Sequence, residues 1–341
     1  MVIVTLIPYL YSANLYIAAH ATLDITYLSM ILEDLDRALG CQPLWPRPYF
    51  KTWADTYHIL RRSPAAGSAV KFYTEYLRDL KDHTQALWPN PTAELMVSPE
   101  RAAKDGHVLV FPAPSFVRLR QQYPMLTAPV ILKAALALTV ILHTNHTHAL
   151  FLNLEAQRTR FPFLTENSPF DGIPEAAEVA GPTFGGALNL VKFQPTETVL
   201  EYLMRIQKDQ ENLTKHAAAP WHEISNQLRR SMQDILPTVA ESLIFNWMPG
   251  LGPAILGENP YRHMNVTQTH IRTKLGMLAS AGAGGPDGSQ IVIYLQGALA
   301  NMSSFWVERA AEEMKNIALW LADEDSLQMS VGEFTKSITP L

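Results

Sequence analysis

The sequence predicts an α/β protein built from two lobes. Three observations predict it. Apolar runs of strand length are interleaved with segments of helical periodicity, no fixed repeat length recurs, and 341 residues exceed the roughly 100 to 200 expected of one domain. Hydrophobic residues make up 48% and charged residues 17%, so the chain has material for a real core and is neither disordered nor a coiled coil.

The elements follow in order. Residues 1–19 read as two short buried strands: no Lys or Arg precedes the apolar run, Pro8 interrupts it and Asn14 follows. That pattern argues against a secretory signal, and a membrane span needs ~20 mostly apolar residues. Leu28, Ile31, Leu32, Leu35, Ala38 and Leu39 form a helical stripe that stops at Gly40, a residue suited to a left-handed C-cap. Phe50, Trp53, Ala54, Tyr57 and Leu60 form a second stripe, and Ser63 with Pro64 opens a third helix running to about Leu80. Residues 88–99 hold three prolines and no period, which predicts a linker.

Beyond it the pattern predicts a strand at 108–111, a short helix at 115–122, a long apolar helix at 128–142 capped by Thr127, and a strand at 149–154. A strand at 187–193, helices at 197–213 and 221–233, strands at 242–248, 270–278 and 290–296, and a helix at 304–322 complete the chain. The glycine-rich stretch 281–290, AGAGGPDGSQ, lacks the Gly-Lys-Ser/Thr ending of a phosphate loop and is expected to be a hairpin loop.

Composition excludes several functions. The formal charge of −5 and the lack of a basic run remove nucleic acid as a partner. The single cysteine, Cys41, rules out an internal disulfide and a multi-thiolate zinc site, and fits a reducing, cytoplasmic setting. Sequons at Asn145, Asn212, Asn265 and Asn301 matter only in a secreted protein and carry no weight. His143, His146 and His148 cluster at a helix end without an adjacent carboxylate, and interaction with the helix C-terminus accounts for them, so no metal is expected. His216, His222 and Glu223 do not form His-Glu-x-x-His, and Trp221, Trp247, Trp306 and Trp320 read as core rather than as a base-stacking platform.

The segment richest in chemistry is NLYIAAHATLDITYLSMILEDL, residues 14–35, where an apolar strand runs into His20, then Asp24, then a helix. An imidazole at a strand end, with an unperturbed pKa of ~6.5, suits general-base work near neutrality. Asp24 suits a structural role, either accepting N–H bonds at the helix start or pairing with an arginine to fix the loop that aims the histidine.

Residues 18–35 resemble the HHxxxDG segment of nonribosomal peptide synthetase condensation domains. RPYFKTWADTYHIL at 47–60 and KFYTEYL at 71–77 resemble two further stretches of that family. The long helix 128–142, LFLNLEAQRTRFPFL at 150–164, VAGPTFGGALNLVKF at 179–193 and LIFNWMPG at 243–250 fall where family blocks fall, so the likeness covers about residues 14–325. Two positions of the motif differ, with Ala19 at the first histidine and Ile25 at the glycine. A β-branched residue adopts positive φ only at a cost, so Ile25 is expected to strain or crowd the loop. Phe184, Gly185 and Gly186 stand where the family carries an Asn-Thr pair.

The resemblance implies a chloramphenicol acetyltransferase-like fold, with a partial N-terminal lobe at 1–92 and a complete C-terminal lobe at 93–341. It implies His20 as the catalytic base, supported by Asp24 and by Arg158 of the QRTRF segment. It also implies fungal-type secondary-metabolite or mycotoxin chemistry, with an amide or ester formed from an acyl thioester. The acyl group would ride on the phosphopantetheine of a carrier protein domain, with no permanent cofactor, no metal and no membrane. Two alternatives stand beside it: a stand-alone O- or N-acyltransferase using acyl-CoA, and a non-catalytic module that docks a carrier. Only nineteen residues precede His20, so much of the N-terminal lobe is expected to be missing and the exposed N-terminal edge to promote self-association.

Overall fold

The computed structural model describes residues 2–8, 13–19, 25–89, 106–158, 161–164, 175–183, 185–228, 235–248, 276–284, 289–297 and 304–334. In chain order the main elements are β1 (Val2–Pro8), β2 (Ala13–Ala19), α1 (Ile25–Leu39), α2 (Phe50–Leu60), α3 (Pro64–Tyr76) and a 3-10 turn at Leu80–Ala86. There follow β3 (Gly106–Pro112), α4 (Pro114–Gln122), α5 (Ala128–Thr144), β4 (His148–Glu155), β5 (Gly185–Lys192), α6 (Val199–His216) and α7 (Trp221–Gln227). The last are α8 (Ile235–Ser242), β6 (Leu243–Trp247), β7 (Met277–Gly284), β8 (Gln290–Gly297) and α9 (Ser304–Leu321).

By contacts the chain falls into two units. The smaller holds the described residues up to Gly67 together with those of Ala156–Gly185, and the larger holds those of Ser68–Glu155 and most of the chain from Gly186 on. The boundaries of these units fall at Gly67, Ala156 and Gly185. Tyr73 of α3 is fully buried against Trp221 in the larger unit, and Trp88, expected in a linker, is buried there in a cluster with the rings of His143 and Trp306.

In the larger unit a six-stranded mixed sheet has the order β3-β8-β7-β6-β4-β5. β4, β6 and β7 run parallel, while β8 is antiparallel to both β7 and β3. Helix α5 packs on this sheet and against α9, with every residue from Val130 to Ile141 buried. Such all-round burial explains its continuous apolar run, which a surface helix would not carry. Thr127 stands at the N-cap position as expected, but its side chain makes no cap bond. The helix stops where Asn145 turns left-handed, φ 51°, and its N–H reaches the Ile141 carbonyl. At the edge, β3 exposes Val108 and Val110 on one face.

Three expectations change. The glycine-rich stretch is strand as far as Gly284: Ala279 and Ala281 are fully buried, and small side chains suit a strand covered on both faces. Its hairpin partner begins at Gln290, which registers with Gly284. Helix α3 ends at Tyr76 rather than near Leu80, and α7 ends at Gln227 because Leu228 is extended. Among the described residues no helix is long and apolar enough to cross a membrane.

In the smaller unit β1 and β2 pair antiparallel, Val2 opposite Ala19 and Pro8 opposite Ala13. Helix α2 carries its aromatic stripe as a slab: Trp53 stacks on Phe50 and Tyr57 at 5.6 and 5.4 Å and meets Phe161 at 5.6 Å. Leu60 and Val179 close this small core.

Candidate active site

His20 and Asp24 lie outside the described residues. Their flanks are described. β2 ends at Ala19 and α1 begins at Ile25, so the motif falls between a strand and a helix, as the sequence pattern requires. Ile25 opens α1 with a helical backbone, and the cost expected of a β-branched residue at positive φ does not arise there.

The far half of α1 is held by a residue that sequence reasoning passed over. Arg47, at the head of the RPYF segment, donates through Nε and Nη2 to both carboxylate oxygens of Asp34, and through Nη2 to Glu33 at 2.6 Å. Hydrogen bonding to Asp34 raises its pKa further, so the guanidinium stays charged at any working pH. Arg37 adds a second tie, donating to the Pro43 carbonyl and lying 4.2 Å over the Trp45 ring. The connection between α1 and α2 is thereby folded back onto α1.

Arg158 is buried. Its Nη1 donates to the carbonyls of Ala176 and Val179 at 3.1 and 3.0 Å, and its Nη2 to that of Gly181 at 2.6 Å. Gln157, just before Arg158, is left-handed at φ 49°, as is Phe163 at φ 61°, a conformation that costs a non-glycine residue roughly 1 to 2 kcal/mol. Backbone strain of this kind concentrates at functional sites. Three segments singled out by resemblance thus converge on Arg158 and its surroundings. The Ala180 amide donates to the Pro48 carbonyl, Phe161 packs on Trp53, and a Cβ on Gly181 would sit 2.5 Å from the Phe50 ring.

No family model matches the chain. A stretch of 138 residues is 34% identical to the nonribosomal peptide synthetase agiA of Aspergillus flavus, covering 38% of this chain and 2% of that protein's length. Among solved structures, the condensation domain of the Monacolin K polyketide synthase MokA superposes with a TM-score of 0.65 at 11% identity, over 96% of this chain and 74% of that one. The first condensation domain of the calcium-dependent antibiotic synthetase, in complex with a substrate analogue, gives 0.61 at 13% identity, over 94% and 68%. The chain has the condensation-domain fold. The epimerization domain from the third module of tyrocidine synthetase B also superposes, at 0.55 and 14% identity over 94% and 72%, so the fold by itself does not choose the reaction.

On the condensation fold the larger unit carries three polar groups that the sequence did not foretell. His143 is not a companion of His146 and His148: its Nε2 lies 2.7 Å from Glu313 of α9, which Arg309 also binds. His83 takes its place, from the turn before β3, and one ring nitrogen from each of His83, His146 and His148 lies within 4.8 Å of the others. Burial, then His83, His146 and Lys192, push the His148 imidazole down to about 4, and burial and His146 lower His83. Lys133, on the buried face of α5, donates to Gln210, which donates to Glu155 at 2.6 Å and Thr214 at 2.7 Å. Burial pushes Lys133 down to about 8 and raises Glu155. The tryptophans behave as core: Trp221 donates to the Gly186 carbonyl, and Trp247, Trp306 and Trp320 pack against the main cluster.

Proposed function

We propose that this chain is a condensation-type acyltransferase domain of a secondary-metabolite assembly system. The observation that carries the proposal is the His20-x-x-x-Asp24 motif between β2 and α1 in a chain of condensation-domain fold. The identity shared with a fungal nonribosomal peptide synthetase supports it.

In this reading an acyl group arrives as a thioester on the phosphopantetheine of a carrier protein domain. An amine or hydroxyl acceptor attacks the thioester carbonyl, a C–N or C–O bond forms, the C–S bond breaks, and the carrier thiol leaves. His20 orients the nucleophile and takes its proton, with holding the two reactants together supplying much of the rate. Asp24 pairs with Arg158 and keeps the loop in place. No covalent acyl-enzyme is needed.

The test is incubation with acyl-loaded carrier protein and a panel of amines and alcohols, read by mass spectrometry of the intact carrier and of the product. Loss of the acyl mass from the carrier with matching product is expected, and His20→Ala should slow it by roughly 10² to 10⁴. Transfer from acyl-CoA but not from the carrier would replace this reading with the stand-alone acyltransferase. Carrier binding without transfer would replace it with a docking module. Undiminished turnover in a well-folded His20→Ala variant would remove His20 from the chemistry.

A further inference from the structure

The three histidines of the larger unit come from two segments far apart in sequence. His83 sits in the Leu80–Ala86 turn, whose Leu80 and Ala86 are fully buried, and His146 and His148 lie at the start of β4, whose next residues, Ala149 and Leu150, are also fully buried. Both backbones are therefore anchored in the core, while the imidazoles themselves are half-buried. The ring centroids of His83 and His148 are 3.8 Å apart, and that of His146 is 5.8 Å from His83 and 6.0 Å from His148. Nothing in the condensation reaction proposed above uses them.

We propose that His83, His146 and His148 form a binding site for a zinc-type divalent transition-metal ion. Three neutral imidazoles are a ligand set for borderline ions rather than for magnesium or calcium, which take oxygen. Nitrogens 2.0 to 2.1 Å from a tetrahedral ion are roughly 3.3 Å apart, so nitrogens within 4.8 Å need only small side-chain rotations to share one. Two details of hydrogen bonding agree. His83 Nδ1 is buried with no hydrogen-bond partner among the described residues. His148 Nδ1 lies 2.9 Å from the Thr147 hydroxyl, and an Nδ1–H donating to that oxygen leaves the Nε2 lone pair for a metal, the outer tie that metal-bound histidines commonly have. At His146, Nδ1 accepts a 3.2 Å bond from the His148 amide, which coordination through Nε2 leaves in place and coordination through Nδ1 would open.

Charges of both signs lie near the site. Lys192 acts on His148, and Asp79 and Asp82 act on His83 with the opposite sign. Three protein ligands leave a fourth position for water, and the ion would clip the Leu80–Ala86 turn to the start of β4.

The test uses the full chain without a histidine tag, stripped by chelator and titrated with zinc chloride by calorimetry, with the X-ray absorption spectrum of the zinc-loaded protein as an independent reading. One saturable equivalent with three imidazole ligands is expected. His83→Ala, His146→Ala and His148→Ala should each weaken it at least roughly tenfold, whereas His58→Ala and His222→Ala, at exposed positions elsewhere, should not. Absence of a saturable 1:1 event, fewer than three imidazoles in the spectrum, or equal losses in the two control variants would overturn the site. The spectrum of the unmodified protein decides the question even where a variant fails to fold.

Discussion

Arg158 donates to the carbonyl oxygens of Ala176, Val179 and Gly181, so its removal leaves buried acceptors without the donor that replaced water. Each such group costs roughly 1 to 3 kcal/mol, and Arg158→Met should therefore lower stability by about 3 kcal/mol or more in a denaturant titration. Arg158→Lys should recover little, because one ammonium cannot span three acceptors arranged for a planar fork. A lysine variant as stable as the parent would refute the cage. The pair proposed with Asp24 is a separate matter: Asp24→Asn and Arg158→Met should be non-additive in a double-mutant cycle by about 1 kcal/mol or more, and simple additivity would dissolve the pair. The sequence singled out Arg158 by the likeness of its QRTRF segment. It could not show the cage, because backbone carbonyls leave no mark in a sequence. His143 illustrates the same limit, since Glu313 follows it by 170 residues and the helix-end explanation needed no partner. Arg47 was passed over because it lies in the connection after α1, thirteen residues from Asp34, with no periodicity to link the two.

Between elements in the smaller unit, Gly181 approaches α2 too closely to admit a side chain. A Cβ there would meet the Cδ2, Cγ and Cβ atoms of Phe50 at 2.5, 2.5 and 2.6 Å, so Gly181→Ala must push the Val179–Gly181 segment off the helix. Overpacking of this kind costs typically 1 to 3 kcal/mol, and it should also loosen the acceptors of Arg158. Phe50→Ala in the same chain removes the ring contacts but leaves Cβ at 2.6 Å, so thermal unfolding should show partial and not full rescue. A Gly181→Ala variant that melts with the parent would mean that the segment has room to move. Elements with a sustained apolar pattern were legible: helices α1 and α2 and strands β4 and β8 fall where that pattern puts them. β7 was misplaced because its Ala-Ser-Ala-Gly run has no propensity for a strand, and burial on both sides overrides that deficit. The eight-residue α8 was missed because two turns give too little period to read.

At the scale of the whole molecule, the interleaving of the two units could not be read, because residues 156–185 join the first unit only through contacts that fold back across the sequence. Two predictions belong here. Lys133 is buried and its pKa is held at about 8, against ~10.4 in the unfolded chain. Between those values the unfolded chain holds a proton that the native state has lost, so stability rises with pH above 8 by up to about 2 to 3 kcal/mol. Tyr73, Tyr76 and Tyr202 work in the opposite sense above pH ~10, since burial raises their pKa values and the unfolded chain ionises first. The denaturation midpoint should climb from pH 8 to about 10 and then fall, and Lys133→Met should flatten the climb; a flat profile in the parent would mean that Lys133 is solvated. The second prediction concerns association. β1 and β2 form a two-stranded sheet, neither has another neighbour among the described strands, and residues 1–19 carry no charged side chain. An isolated hairpin is marginal, and an edge without charges templates pairing with a second copy, Pro8 being its one guard. The chain expressed alone should therefore self-associate at micromolar concentration, with a mass by light scattering above that of one chain that falls on dilution. Thr5→Lys, placing a charge on β1 opposite Tyr16, should shift the equilibrium toward monomer. A monomer at every concentration in the parent chain would show that the hairpin edges are already covered.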